Sequence, residues 1–321
     1  MAAKRIAVVD IGTNSTRLLV AAVADGRVEE LERRTEVTRL GEGVDSGGRL
    51  SAGAIERVLS TVEGYRGTID ALGAERIVGI ATSAMRDADN GSELADALVE
   101  RFCVETRTIS GEEESRLTFL GATVDREGEP ETLVIDIGGG STEFVVGLPG
   151  SDPQFHVSTR LGSVRQTERH LRSDPPLPDQ LEAVAGEARA VIESEVPGRG
   201  RGEVQLGLAV AGTPTSLAAV DQRLDPYDPA RVHGYRLEPA ACERMLAMLA
   251  ALPLERRREV TGLHPDRAPT IVAGVVILVE AIRSFGLAGV EVSERDILHG
   301  AALAAAQEGE GAPGGQRGTT G

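Results

Sequence analysis

The sequence predicts an α/β protein made of two related halves that face one phosphate site. Three observations carry this. The segment Val9-Asp10-Ile11-Gly12-Thr13-Asn14-Ser15-Thr16-Arg17-Leu18-Leu19-Val20 recurs as Ile135-Asp136-Ile137-Gly138-Gly139-Gly140-Ser141-Thr142-Glu143-Phe144-Val145-Val146. At 321 residues the chain exceeds a usual single domain, so two domains are the default. Hydrophobic residues make up 41% but aromatics only 2%, so Val, Leu, Ile and Ala must do the packing, which suits α/β layers better than a sandwich.

Each copy of the repeat reads as strand, tight turn, strand. Glycines let the backbone approach a ligand closely, and successive N–H groups in such a turn form a concavity for anions. One copy alone is explained as well by a solvated hairpin turn. Two copies 126 residues apart favour paired phosphate loops instead. The candidate phosphate-binding residues are therefore Gly12, Thr13, Asn14, Ser15, Thr16 and Arg17 in the first loop. In the second they are Gly138, Gly139, Gly140, Ser141 and Thr142. A carboxylate ends the strand before each loop, Asp10 and Asp136. Beside phosphate this makes sense mainly with a divalent cation between them, and Mg²⁺ is usually held by one or two carboxylates plus phosphate oxygens and water. A third stretch, Gly207 to Leu217, runs from strand into a Gly-Thr turn and an Ala-rich helix. Gly212 and Thr213 there fit a further phosphate or nucleotide edge, or equally a packing turn.

Along the chain, Gly41 to Gly48 reads as a mobile loop, and Ser51 caps a helix running to about Tyr65. A strand at Ile77–Ile80 leads into a helix start carrying Thr82, Ser83 and Arg86. A helix over Ser92 to Arg101 and a strand over Val104 to Ile109 follow. Glu127 to Glu131 is the expected linker, giving a first domain over residues 1–127 and a second over 128–288. Helices are expected near Leu181–Glu193, Pro239–Leu252 and Thr270–Phe285. A terminal helix within residues 289–308 should pack back on the first domain, and the Gly-rich residues 309–321 should be disordered.

Ser110-Gly111-Glu112-Glu113-Glu114-Ser115-Arg116-Leu117 opens a helix with an apolar stripe at Leu117, Leu120 and Val124. The Ser110-x-x-Glu113 spacing is a capping box, which occupies Glu113. Glu114 has no such structural task and can project into a cleft as a base, although Glu112 stays an alternative.

Net charge is −16, which argues against a nucleic-acid binder held by a general basic field. The local exception, Arg160, Arg165, Arg169, His170 and Arg172, is either a solvated helix face or a substrate-facing one. Only two cysteines occur, and the five histidines show no ligand spacing, which leaves neither a disulfide framework nor a structural zinc site. With no apolar stretch near membrane-spanning length and no leader-like start, a cytoplasmic location is expected.

With these motifs in view, the chain resembles the exopolyphosphatase and guanosine pentaphosphate phosphohydrolase (Ppx–GppA) family. The match runs from residue 5 to about 300, and adds Arg39 to Asp45, Ala81 to Arg86, Leu161 to Arg165 and Ala211 to Thr213 to the segments above. The resemblance implies two actin-like (ribonuclease H-like) domains, each a mixed sheet flanked by helices, with the active site in the cleft between them, in a short form without a C-terminal His-Asp-like domain. It implies that Glu114 activates water, that Asp136 and Glu143 serve metal and catalysis, and that Arg86 binds phosphate. Near the end it departs from the family, with Leu298-His299-Gly300 where relatives often carry Arg-Glu-Gly. The implied cofactor is Mg²⁺, with Mn²⁺ as a substitute and K⁺ as a further candidate, and a homodimer is implied as well. Inorganic polyphosphate is the expected substrate, guanosine pentaphosphate or tetraphosphate the close rival ligand, since few aromatics are available to stack a base. An ATP-dependent kinase-like protein and a nucleotide sensor without turnover are the readings from other classes.

Overall fold

The computed structural model describes residues 3–126, 128–196 and 204–308; Glu127 and the expected tail 309–321 lie outside the described residues. Two mixed sheets form the frame. In the first, β1 (Lys4–Ile11), β2 (Thr16–Ala24) and β3 (Arg27–Glu36) make an antiparallel meander. Parallel strands β4 (Arg76–Ala81) and β5 (Thr106–Thr108) extend it from the β1 side, giving the order β3-β2-β1-β4-β5. In the second, β6 (Thr132–Ile137), β7 (Thr142–Gly147) and β8 (Phe155–Thr159) repeat the meander. Parallel β9 (Leu206–Val210) and β11 (Val290–Val292) repeat the extension, and β10 (Arg236–Leu237) adds an antiparallel edge. The sequence repeat is thus a structural one: each copy is the hairpin that opens a sheet.

Strands β1, β6 and β7 are buried on both faces and read as near-continuous apolar runs, as covered central strands do. Helices α2 (Ala52–Leu72) and α4 (Gly91–Phe102) cover one face of the first sheet. Ser51 caps α2 by accepting from the Ala54 N–H, and Gly73 closes it in the left-handed conformation, so the helix runs to Leu72, seven residues beyond Tyr65. The longest apolar stretch of the sequence is α12 (Ile271–Ser284), buried along nearly its whole length in the core of the second half. Among the described residues no helix is long and apolar enough to cross a membrane.

Helix α5 (Gly111–Ala122) lies between the two sheets. Leu117, with Leu120 and Val124, packs against the other face of the first sheet. Phe119 and Ala122 pack against Val134, Val145, Leu208 and Val210 of the second. The terminal helix α13 (Ile297–Glu308) returns to the first half, where Leu298, Ala301, Ala302 and Ala305 join Ile6, Val8 and Leu19. It crosses α5 closely: a Cβ on Gly300 would run into the Leu117 carbonyl, and one on Gly121 into the Asp296 carbonyl.

Residues 41–48, expected to be mobile, instead hold α1 (Val44–Gly47) and are tied to the first loop, since the Gly41 N–H donates to the Thr13 carbonyl at 2.8 Å. The Gly43 N–H donates to Glu168 of the second half at 3.0 Å.

Overpacking a tight contact costs about 1–3 kcal/mol, so Gly300→Ala should lower the urea midpoint by an equivalent amount. Gly64→Ala, on the exposed side of α2 where an added Cβ meets nothing within 4 Å, should instead be neutral or gain up to ~1 kcal/mol.

Candidate active site

The two hairpin turns are built alike: the Gly12 N–H donates to the Ser15 carbonyl and the Gly138 N–H to the Ser141 carbonyl, both at 3.0 Å. In the second loop the carbonyls of Gly138 and Gly139 accept from the Ser163 and Val164 N–H groups at 2.9 Å, at the start of α6 (Ser163–His170), and that of Gly140 accepts from Arg165 Nε at 2.9 Å. In the first loop the carbonyls of Thr13 and Asn14 accept from Gly41 and Arg39. A carbonyl and the next N–H of a trans peptide point in opposite directions. The N–H groups of Gly139, Gly140 and Ser141, and of Asn14 and Ser15, are therefore turned away from these partners, as in an anion-binding nest. The loops also touch each other: a Cβ on Gly139 would press on Thr13 and the Asn14 backbone, and one on Gly140 would collide with Ser83 and Thr13. Glycine is required at both positions for this approach.

Between the loops lies a cavity of about 80 Å³. Gly12, Thr13, Asn14, Ser15, Arg17, Gly138, Gly139, Ser141, Gly212 and Thr213 line it, as do the carboxyls of Asp10, Glu114, Asp136 and Glu143. Sequence reasoning missed Thr82, Ser83, Ser163, Thr270 and Arg267 on the same walls. Thr82 and Ser83 lie in a segment whose helix start was read, and Ser83 Oγ is 2.7 Å from Thr13 Oγ1. Arg267 carried no local signal: it sits on Gly212, where a Cβ would collide with its guanidinium. Ala211, just before α8 (Gly212–Asp221), holds a φ of 70°, a strained value for a residue with a Cβ and of the kind that collects at functional sites.

Several expected ligands stand elsewhere. Thr16 Oγ1 pairs with Thr38 Oγ1 at 2.9 Å, and Thr142 Oγ1 donates to the Leu161 carbonyl, so both hydroxyls are spent inside the cores. Gly140 lies in the contact between the loops, off the cavity wall. Arg165 does not reach the cavity; it bonds the Gly140 carbonyl and the carboxylates of Asp45 and Asp87 in the first half. The basic stretch around it is matched by acids, with Arg160 and Arg169 also on Asp45, and Arg169 and His170 on Glu187. Arg160, Arg165 and Arg169 thus form an ion-pair seam between the halves through Asp45 and Asp87, while Glu187 lies in the second half itself and Arg172 is exposed. Arg86 stays outside the cavity as well, and acts on it through Glu114, to which it donates at 3.2 Å. His299 is buried against Glu30 at 2.9 Å, away from the cavity.

The capping box is half made. Ser110 Oγ accepts from the Glu113 N–H at 3.1 Å, but the Glu113 carboxylate goes to Arg107 at 2.9 Å rather than back to the cap. Glu112 is exposed, whereas Glu114, two residues on, is 7% exposed and faces the cavity. Geometry thus separates the two glutamates that sequence left as alternatives.

Burial dominates the electrostatics. It pushes Glu114 up to about 8, with Arg86 opposing and Asp136 reinforcing the rise. Burial likewise pushes Asp136 up to about 7 against the pull of Arg17, and Glu143 well above the carboxylate range, where Glu114 and Asp136 add to the effect. Thr118 donates to Asp136 at 3.3 Å and Ser158 to Glu143 at 2.7 Å, which orients both carboxyls. Asp10 is raised by burial too, although Arg17 holds its Oδ2 at 2.7 Å. Its Oδ1 is buried with no partner. The two halves differ at matching positions: Asp10 faces Arg17 across its hairpin, whereas Asp136 faces Glu143.

The Ppx/GppA phosphatase family matches residues 19–307. The chain belongs to that family. The relatives include Exopolyphosphatase 2 of Mycobacterium tuberculosis, 35% identical over 95% of this chain and 100% of that protein. Exopolyphosphatase 1 of the same organism is 30% identical over 90% of this chain and 84% of the other. Among solved structures, an exopolyphosphatase-like protein superposes with a TM-score of 0.88 at 31% identity, covering 95% of this chain and 98% of that one. The Aquifex aeolicus Ppx/GppA family member gives 0.80 at 28%, covering 97% and 100%. The fold is therefore the actin-like one, with two mixed sheets flanked by helices.

A carboxyl whose folded pKa is raised favours folding below its unfolded value, and that contribution is lost as pH rises through the folded one. For Glu114 this window runs from about 4.5 to about 8. In the cation-free protein, Glu114→Gln should therefore melt higher than wild type at pH 9, with the difference shrinking toward pH 5 in thermal scans at both values.

Proposed function

We propose that this phosphoanhydride hydrolase removes the terminal phosphate of inorganic polyphosphate, with Glu114 activating water. That it is an enzyme of this class follows from its family. The observation that carries the residue assignment is the Glu114 carboxyl, desolvated and pushed up to about 8, inside a cavity walled by two glycine loops. A general base works best with a pKa near the operating pH. The relatives named exopolyphosphatase support the substrate, and about 80 Å³ suits a terminal phosphoryl group rather than a nucleoside.

A divalent cation fits these residues. The partnerless Asp10 Oδ1 and the raised Asp136 and Glu143 are acceptors that positive charge would relieve. Among the described residues no cluster of three or more His, Cys, Asp or Glu forms a finished cage. That suits Mg²⁺, which keeps water and phosphate oxygens around one or two carboxylates. Asp136 would hold it, with Asp10 or Glu143 directly or through water; Mn²⁺ could substitute, and K⁺ is a further candidate. When bound, the cation supplies charge neutralisation at the phosphoryl oxygens.

The chain's own groups do the rest. Backbone N–H groups of the loops and the Ser15 and Ser141 hydroxyls bind the terminal phosphoryl oxygens. Glu114 accepts the proton of a water aligned with the terminal phosphorus, and Arg86 orients its carboxylate. The leaving oxygen stays with the shortened chain. Positioning and electrostatics dominate phosphoryl transfer, so this arrangement needs little covalent chemistry from the protein. The reading includes a homodimer and a cytoplasmic location.

A second cavity of about 540 Å³ shares Arg17, Gly212 and Arg267 with the first and is also lined by Arg33, Arg295 and Tyr227. Its size and its tyrosine favour a second reading, in which guanosine pentaphosphate places base and ribose there.

Phosphate release from short and long polyphosphate, guanosine pentaphosphate and ATP, measured side by side with Mg²⁺, tests both readings. Polyphosphate should be the best substrate, and release from the guanosine nucleotide alone would replace the first reading by the second. Glu114→Gln should lower turnover by about 10²–10⁴-fold. Full turnover in that variant would remove Glu114 as the base. Asp136→Asn should raise the Mg²⁺ concentration needed for half-maximal rate, and an unchanged requirement would refute its ligand role.

A further inference from the structure

We propose that Asp296 is a positioning residue that sets the charge Asp10 presents to the cavity, acting through Arg17. Asp296 sits just before α13, 279 positions from Arg17 in the sequence, and is 2% exposed. Arg17 divides its guanidinium between two carboxylates. Its Nε and Nη2 donate to Asp10 Oδ2 at 2.8 and 2.7 Å, while Nη1 donates to Asp296 Oδ2. Asp296 is itself fixed from behind, because its Oδ1 accepts from the Leu298 N–H at 3.0 Å. The α5–α13 crossing, too tight for a Cβ on Gly121 or Gly300, holds this segment in place.

Charge counting shows what the third member does. With Arg17 and Asp10 alone, the pair would be neutral and a poor attractor of cations. Asp296 restores a net charge of −1 to the trio, and Asp10 keeps Oδ1 free on the cavity side. The neighbouring Arg33 also attracts Asp296, at 4.0 Å, but its charge is balanced by Glu294 at 2.6 Å, so the count is unchanged. His299 accepts the Asp296 N–H through Nδ1 at 3.4 Å and turns Nε2 to Glu30, so it helps hold the Asp296 backbone in place.

The proposal rests on the reading that Asp10 faces a bound divalent cation. Its test is direct binding of Mn²⁺ to the full chain without substrate, followed by calorimetry or the loss of the free-ion paramagnetic signal, in wild type and three variants. Asp296→Asn takes the trio from −1 to 0 and should weaken Mn²⁺ by on the order of tenfold. Arg17→Gln takes it to −2 and should tighten binding. The double variant returns to −1 and should bind within about threefold of wild type, since the two charge changes cancel. Asp296→Glu should rescue most of the loss. A merely structural Asp296 would give weaker binding in all three charge variants, the double worst of all, and that pattern overturns the proposal while leaving the cation reading intact. Absence of Mn²⁺ binding by folded wild type overturns both.

Discussion

Four carboxyls buried around one small cavity are the constraint to which the rest of the molecule answers. Asp10, Glu114, Asp136 and Glu143 are each 7% exposed or less, while Arg17 and Arg267 line the same cavity and Arg86 reaches Glu114 from outside it. Isolated buried charges are far too costly to persist. Protons on the carboxyls or a bound cation must therefore supply part of the missing positive charge, and the upward shifts of Glu114 and Asp136 express that deficit. Such a site stores sensitivity to charge: whatever carries negative phosphate into it must bring its own neutralisation.

Helix α5 shows how the fold holds this arrangement against its own repulsion. Its residues turn successively to different tasks: Glu114 to the cavity, Leu117 to the first core, Thr118 to Asp136, Phe119 to the second core. Burial of apolar side chains on both sides of one helix anchors the carboxylate that cannot anchor itself. Glu114 is placed by hydrophobic packing in two sheets at once, so its position depends on how the halves meet. The Arg165 ion pairs with Asp45 and Asp87 also tie the halves together.

What the sequence made legible was local. The repeated hairpins, the Ser51 cap, the apolar stripe at Leu117 and the buried α12 segment all follow from spacing and residue type within one element. What it hid was long-range or a matter of facing. Thr16 and Thr142 carry the right hydroxyls beside glycine loops, yet each starts the returning strand with its side chain turned into the core, a parity that a turn motif does not reveal. Arg165 looked like part of a basic face because its acidic partners lie more than 75 residues away. Arg267 and Asp296 gave no local signal at all, since each matters only through a residue brought to it by folding. Glu114 stood between these cases: capping logic freed it, and burial distinguished it from Glu112.

The duplication itself explains why the two loops are not interchangeable. Asp10 and Asp136 occupy equivalent positions, and so do Arg17 and Glu143 directly across each hairpin. In the first half the cross-strand partner is a guanidinium, which holds Asp10 Oδ2 and leaves only Oδ1 without a partner. In the second half the partner is another carboxyl, raised well above its ordinary range, and the pull of Arg17 on Asp136 does not offset the burial of the pair. Like charges directly opposite on a hairpin are destabilising unless something is shared between them. The first half therefore brings a carboxyl already held on one side by a guanidinium, whereas the second brings a carboxyl pair that a proton or a cation must share. That division couples the arrival of positive charge to the half carrying Asp136 and Glu143, which α5 joins to Glu114.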